Sequence, residues 1–332
     1  MLQDDITEAL PAAGELPEAK PEASVQTVLP TSSVLADRFH LVRHLATGGM
    51  SEVFEAFDVA LRIPVALKHL RRDLHRGLHA ARLEHEVRLA RRVSHPNVLR
   101  VFEFFPAQGT APAFFTMELL EGETLGSLLA RVGRLAPLDA LPIAEQIAAA
   151  LAGIHARCVV HRDLKTRNIF LSPEVGKGGV PRVVVGDFGV ARALVADPRD
   201  AADPTEPRFG SPHYMAPEQL TSGPIDERAD IYALGVILFE MVTGELPFSG
   251  ETALAAAAKR LEGPAPSARS RVQTIPMAWD RAIRACLERD PRRRPQHATL
   301  VAERLKEGRA RWLNTGARTS TLAPPTPPGL EP

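Results

Sequence analysis

The chain has 332 residues, 45% of them hydrophobic, enough to bury the core of one large domain or two modest ones. Forty basic residues balance forty acidic ones, which argues against a global field that would draw in nucleic acid or an anionic membrane, so neither is expected as a partner. Cys158 and Cys286 are too few for a disulfide framework and lack the spacing of a zinc site, so a cytoplasmic location is expected, with both thiols serving as buried apolar fillers.

Residues 1–36 are rich in Pro, Glu, Ala and Ser with little periodicity, and are expected to be disordered. The opening M-L-Q-D-D lacks the basic start and apolar core of a signal peptide. No window reads as a charge-free membrane span; the nearest, 231–242, is interrupted by Glu240 and fits a buried helix. Short β-like runs follow at Phe39 to Leu45, Glu52 to Phe57, Pro64 to Leu70, Val98 to Phe104 and Ala113 to Glu118. One helix interrupts them, from about His79 to Val93, where Leu83, Val87 and Ala90 recur at helical spacing. Beyond Leu120 long apolar helices take over, at Pro137 to Ala156, Arg228 to Val242 and Ala278 to Leu287. The shift marks an α+β, bilobal chain: a small sheet-rich lobe over 37–119 and a larger helical lobe over 120–312. Residues 313–332 end in A-P-P-T-P-P-G-L-E-P and are expected to be a disordered, Pro-rich tail.

Several motifs carry chemistry. The turn Leu45-Ala46-Thr47-Gly48-Gly49-Met50-Ser51-Glu52-Val53 lies between two strand candidates, where glycine lets backbone N–H groups approach phosphates. Such a turn alone is commonly only a hairpin. Lys68 ends the apolar run Val65-Ala66-Leu67, from which its ammonium could reach a phosphate, and Glu86 on the helix could pair with it. A polar cluster, His161-Arg162-Asp163-Leu164-Lys165-Thr166-Arg167-Asn168, stands between apolar runs, and Val183-Val184-Val185-Gly186 delivers Asp187-Phe188-Gly189. Asp163, Asn168 and Asp187 supply a proton acceptor and the hard oxygen ligands that magnesium and phosphoryl transfer require.

In order and spacing these motifs, from Phe39 to about Arg311, closely resemble the eukaryotic-like, or Hanks-type, bacterial serine/threonine protein kinases. The resemblance implies the bilobal protein-kinase fold, with an antiparallel small-lobe sheet and one helix, and implies ATP with Mg2+ as cofactors, Mn2+ being an alternative. It assigns Lys68 to the α- and β-phosphates, held by Glu86; Asp163 to the acceptor hydroxyl; Asn168 and Asp187 to metal; and Lys165 to the transferring phosphoryl group. The loop residues Ala46, Gly48, Gly49 and Ser51 would cover the phosphates. Adenine would lie among Leu45, Val53, Ala66 and Phe170, with Met117 behind it and the backbone of Glu118 and Leu120 at its edge. Farther on, Glu218 would pair with Arg294 and Asp230 would brace the catalytic loop.

The same resemblance implies Ser and Thr acceptors on protein substrates, because Lys165 stands two residues after Asp163. Arg162 beside Asp163 implies control by phosphorylation of the activation segment, and Thr205 carries the only hydroxyl side chain between Asp187 and Gly210. A homodimer through the small lobe, known in the family, is left open. Departures are few: Ala46 and Ser51 replace glycines, Ser211 replaces a threonine, and Cys158 stands where glycine is frequent. The rival readings are a pseudokinase scaffold, which would lack Lys68, Asp163 or Asp187, and an aminoglycoside-type kinase, which would lack Ala216-Pro217-Glu218 with Arg294.

Overall fold

The computed structural model describes residues 33–48, 51–70, 78–108, 111–175, 180–187, 192–193, 212–221 and 224–313. Strands β1 (Val34–Leu35), β2 (Phe39–Thr47), β3 (Ser51–Asp58), β4 (Ile63–Leu70), β5 (Val101–Phe105) and β6 (Phe114–Met117) form one antiparallel sheet in the order β1-β2-β3-β4-β6-β5. Alternation along β4 divides its side chains between two faces. Val65 and Leu67 pack with Phe39, Phe54 and Phe114 on one side. Ala66 joins Leu83 and Val87 of helix α1 (Leu78–Ala90) on the other, with Met117, the register partner of Ala66 on β6.

The sequence expectation for the small lobe holds for its central strands and its helix, with two shifts. Strand β1 lies inside the segment expected to be disordered, pairing Val34 with His40 and Leu35 with Phe39, so the sheet begins before residue 37. Val98 is not part of β5; it bridges Val185 instead. Asn97 and Leu99 sandwich that bridge: Val185 N donates to Asn97 O and Leu99 N donates to Val185 O, both at 2.9 Å. The Asn97 amide donates to Val183 O and Gln146 Oε1. The connector after α1 is therefore fastened to the large lobe.

That lobe opens with β7 (Glu123–Thr124) and α2 (Leu125–Val132), which Thr124 caps by accepting from the Ser127 N–H. Helix α3 (Pro137–His155) starts on proline and buries Ala144, Ile147, Leu151 and Ile154. By length and composition α3, although it carries Asp139 and Glu145, is apolar enough to cross a membrane; half of its apolar window is buried inside this domain. Strands β8 (Val159–Val160), β9 (Ile169–Val175), β10 (Pro181–Val185) and β11 (Arg192–Ala193) follow, β10 pairing with β9 and β11 with β8. Helices α4 (Pro217–Leu220), α5 (Arg228–Thr243), α6 (Ala253–Glu262), α7 (Met277–Cys286) and α8 (Ala298–Leu313) complete it. Nearly all of α5 is buried, as its apolar run from Ile231 to Phe239 requires, and Gly244 ends it in a left-handed cap.

Cys286 is buried in the core as expected, but Cys158 is exposed, contrary to the sequence reading. It adopts φ +54° in the turn before β8, a left-handed conformation that explains why glycine suits this place.

Candidate active site

Three polypeptide stretches converge between the lobes. The Lys68 ammonium, at the end of β4, donates to Glu86 Oε1 of α1 and to Asp187 Oδ1, each at 2.9 Å. Lys68 and Glu86 are largely shielded, with side chains 13% and 9% exposed. Burial alone would favour a neutral amine, but the charges of Asp187 and Glu86 outweigh it and raise the Lys68 pKa above the ordinary lysine value. The Lys68 ammonium in turn holds Asp187 below the usual carboxylate range. Burial pushes the Glu86 carboxyl up, to about 7, against the pull of Lys68.

Facing this triad is the catalytic-loop candidate. Asp163 Oδ2 accepts from Lys165 Nζ at 2.6 Å, and Asn168 Nδ2 donates to Asp163 O at 2.9 Å. The antiparallel pairing of Ile169 with Val185, and a hydrogen bond from Gly186 N to Asn168 O at 2.9 Å, set Asn168 and Asp187 on adjoining strand ends. The loop is braced from below by Asp230 on α5, which accepts from the backbone N–H of His161 and Arg162 at 2.9 Å each. His155 of α3 meets the same carboxylate at 2.8 Å. Burial alone would raise the Asp230 pKa, yet the bond and charge of His155, with the help of His161, hold it below the ordinary value.

The remaining expectations fall as follows. Ala66 and Met117 are buried in one apolar cluster, against which Val53, Leu120 and Phe170 are partly buried; Leu45 is half-buried at the β2 end. Glu118 N is already bonded to Arg100 O at 2.9 Å and its carboxylate pairs with Arg182, which leaves its carbonyl for a ligand edge. Gly48 N closes the hairpin on Ser51 O at 2.7 Å, with Ala46 exposed beside it. Glu218 and Arg294 form a buried two-pronged pair at 2.6 and 2.8 Å. Gly49, Thr205 and Ser211 lie outside the described residues, as do Phe188 and Gly189. Arg162 is half-buried at φ +66°.

The residues 39–305 match the protein kinase domain family. The chain belongs to that family. It is 35% identical to the serine/threonine-protein kinase pkn2 of Myxococcus xanthus over 285 residues, covering 83% of this chain and 33% of the relative. It is 34% identical to the serine/threonine-protein kinase PrkC of Bacillus subtilis, covering 77% and 38%, and 35% identical to the serine/threonine-protein kinase PknB of Mycolicibacterium smegmatis, covering 89% and 48%. The kinase chain thus spans a third to a half of the length of these relatives.

The kinase site also contains residues that motif reading passed over. Tyr214 donates to Glu240 of α5 at 2.6 Å and stands 3.0 Å from the Thr166 hydroxyl of the catalytic loop. Burial raises both the Tyr214 and the Glu240 pKa, which keeps the tyrosine a donor. Gln219 donates to Arg162 O at 3.0 Å. Nothing in the sequence pairs Tyr214 with residues 48 and 26 positions away.

Proposed function

We propose that the chain is an ATP-dependent serine/threonine protein kinase, transferring the γ-phosphoryl group to hydroxyls of protein substrates. The observation that carries the reading is Lys68 bonded at 2.9 Å to both Glu86 and Asp187, across from Asp163 and its Lys165 partner. Lys68 binds the α- and β-phosphates, and Glu86 prevents it from swinging away. Asp163 orients the acceptor hydroxyl and takes its proton, while Lys165 offsets charge on the transferring group. Asn168 and Asp187 offer an amide and a carboxylate oxygen, a donor set that suits a hard divalent ion, Mg2+ first and Mn2+ second. A bound divalent ion supplies charge neutralisation at the phosphates. The adenine lies against Ala66, Val53, Leu45 and Phe170, with Met117 at the back and the backbone of Glu118 and Leu120 at its edge; Ala46, Gly48, Gly49 and Ser51 cover the phosphates.

The relatives' names and the Lys165 spacing support Ser and Thr as acceptors. In this reading Arg162 receives a phosphate placed on Thr205, and Asp230, Glu218 and Arg294 hold the frame. The functional unit is residues 37–312 plus strand β1, working in the cytoplasm. Purified chain with labelled ATP, magnesium and myelin basic protein tests the proposal, beside Lys68→Met and Asp163→Asn. Transfer by the unaltered chain that falls by about a hundredfold or more in each variant is the expected result. Binding of ATP without transfer would overturn catalysis in favour of a scaffold.

A further inference from the structure

Arg260, in the last turn of α6, is 1% exposed and forms no ion pair among the described residues. Buried arginines ordinarily have a carboxylate partner, as Arg294 has Glu218. Arg260 instead donates from Nη1 to Pro212 O at 2.7 Å and Met215 O at 2.6 Å, and from Nη2 to His213 O at 2.8 Å. Its guanidinium carbon stands 6.0 Å from the Tyr232 ring centre and 5.8 Å from that of Phe248. Three carbonyl dipoles and two aromatic faces thus compensate the charge. A side chain needed only to fill space here would be apolar, since burying a guanidinium is costly.

The donors of a guanidinium are fixed in one plane, so three carbonyls within four consecutive residues can meet it only if that stretch curves around it. The stretch is held at its far end as well. Arg294, whose guanidinium carbon stands 4.9 Å from the centre of the same Tyr232 ring, grips Glu218. Between the two arginines, Tyr214 reaches Thr166 and Gln219 reaches Arg162, both in the catalytic loop.

We propose that Arg260 is a positioning residue for the acceptor: it sets the curve of Pro212–Met215, against which the hydroxyl-bearing segment of a protein substrate docks, and so fixes the acceptor's approach to Asp163. The proposal rests on the kinase reading above. Lys68, Glu86 and Asp187 share no hydrogen bond with Arg260, so the nucleotide side is separate.

The test compares full-length wild type, Arg260→Met and Arg260→Lys for acceptor KM, ATP KM and kcat, together with amide hydrogen exchange over residues 212–218. Arg260→Met is expected to raise the KM for myelin basic protein about tenfold, with ATP KM within about twofold and faster exchange in that segment. Arg260→Lys should recover part of both, because an ammonium reaches fewer of the three carbonyls. Equal damage to both KM values, or wild-type kinetics and exchange in Arg260→Met, overturns the proposal. If Arg260→Met fails to fold, Arg260→Lys decides: wild-type KM and exchange would show that a point charge suffices and overturn it. If wild type transfers no phosphoryl group, the kinase reading fails, and unchanged exchange in the variants separately refutes the clamp.

Discussion

Removing either partner of the Glu218–Arg294 pair should destabilise the domain, and the two losses should differ. Arg294 is 2% exposed; besides its two bonds to Glu218, it donates to the carbonyls of Glu288, Arg228 and Arg289 at 2.8, 2.8 and 3.2 Å. Breaking a buried pair costs about 3–5 kcal/mol, because one charge is stranded away from water. In Glu218→Gln the guanidinium keeps its three carbonyls and the Tyr232 ring face, so the cost should lie near 3 kcal/mol, the lower end. In Arg294→Met a carboxylate is left without its cation and three carbonyls lose a donor, so the cost should approach about 5 kcal/mol. At roughly 2–4 °C per kcal/mol, the midpoint of thermal unfolding falls by at least about 6 °C in the milder variant. Urea unfolding followed by circular dichroism measures both, and the double variant Glu218→Gln with Arg294→Met should cost less than the sum by about 2 kcal/mol. Losses in the opposite order, or additivity in the double variant, would refute the reasoning.

Three further outcomes follow from the packing and the charges. Asp230 titrates below its ordinary value of 3.8 in the folded chain, so its contribution is present above that pH and is lost as pH falls through the folded value. Asp230→Asn should flatten the acid limb of a stability-against-pH curve, and an unchanged slope below about pH 4 would contradict the assignment. Gly235→Ala would place a Cβ 2.6 Å from Cys286 Cβ, forcing α5 and α7 apart at a cost of about 1–3 kcal/mol in chemical denaturation. Cys158→Gly should relieve the left-handed strain and stabilise by about 0.5–1 kcal/mol after glycine's extra chain entropy is subtracted, as read from the urea midpoint.

The two-lobed plan was legible because short strand-length runs such as Ile63–Leu70 dominate the first lobe and long apolar helices such as Pro137–His155 and Arg228–Thr243 dominate the second. Lys68, Asp163 and Asp187 were readable as polar residues set against apolar runs, whereas Glu86, an ordinary charge on a charged helix, took its role from the family resemblance. Strand β1 was not, because two residues are too few to show alternation, and its partner β2 supplies the ladder. Cys158 was misjudged since burial preference is a property of the residue type, whereas the backbone turn before β8 decides its exposure. Arg260 was invisible for the opposite reason: in a run of alanines, an arginine reads as the solvent face of a helix. Tyr214 with Glu240 and Thr166 required the fold itself, since only the packing of α5 beneath the catalytic loop brings them together.

The fastening of residues 97–99 to β10 makes α1 a lever with its fulcrum at one end. At about 1.5 Å per residue, Glu86 lies roughly 6 Å from the Ala90 end and Leu78 roughly 18 Å from it. A tilt that carries the far tip of the helix through a given arc therefore moves Glu86 about a third as far. Whatever presses on that tip acts through a long arm on the small displacement that makes or breaks the 2.9 Å contact with Lys68. Contacts at that tip thereby gain leverage over the Lys68–Glu86 ion pair.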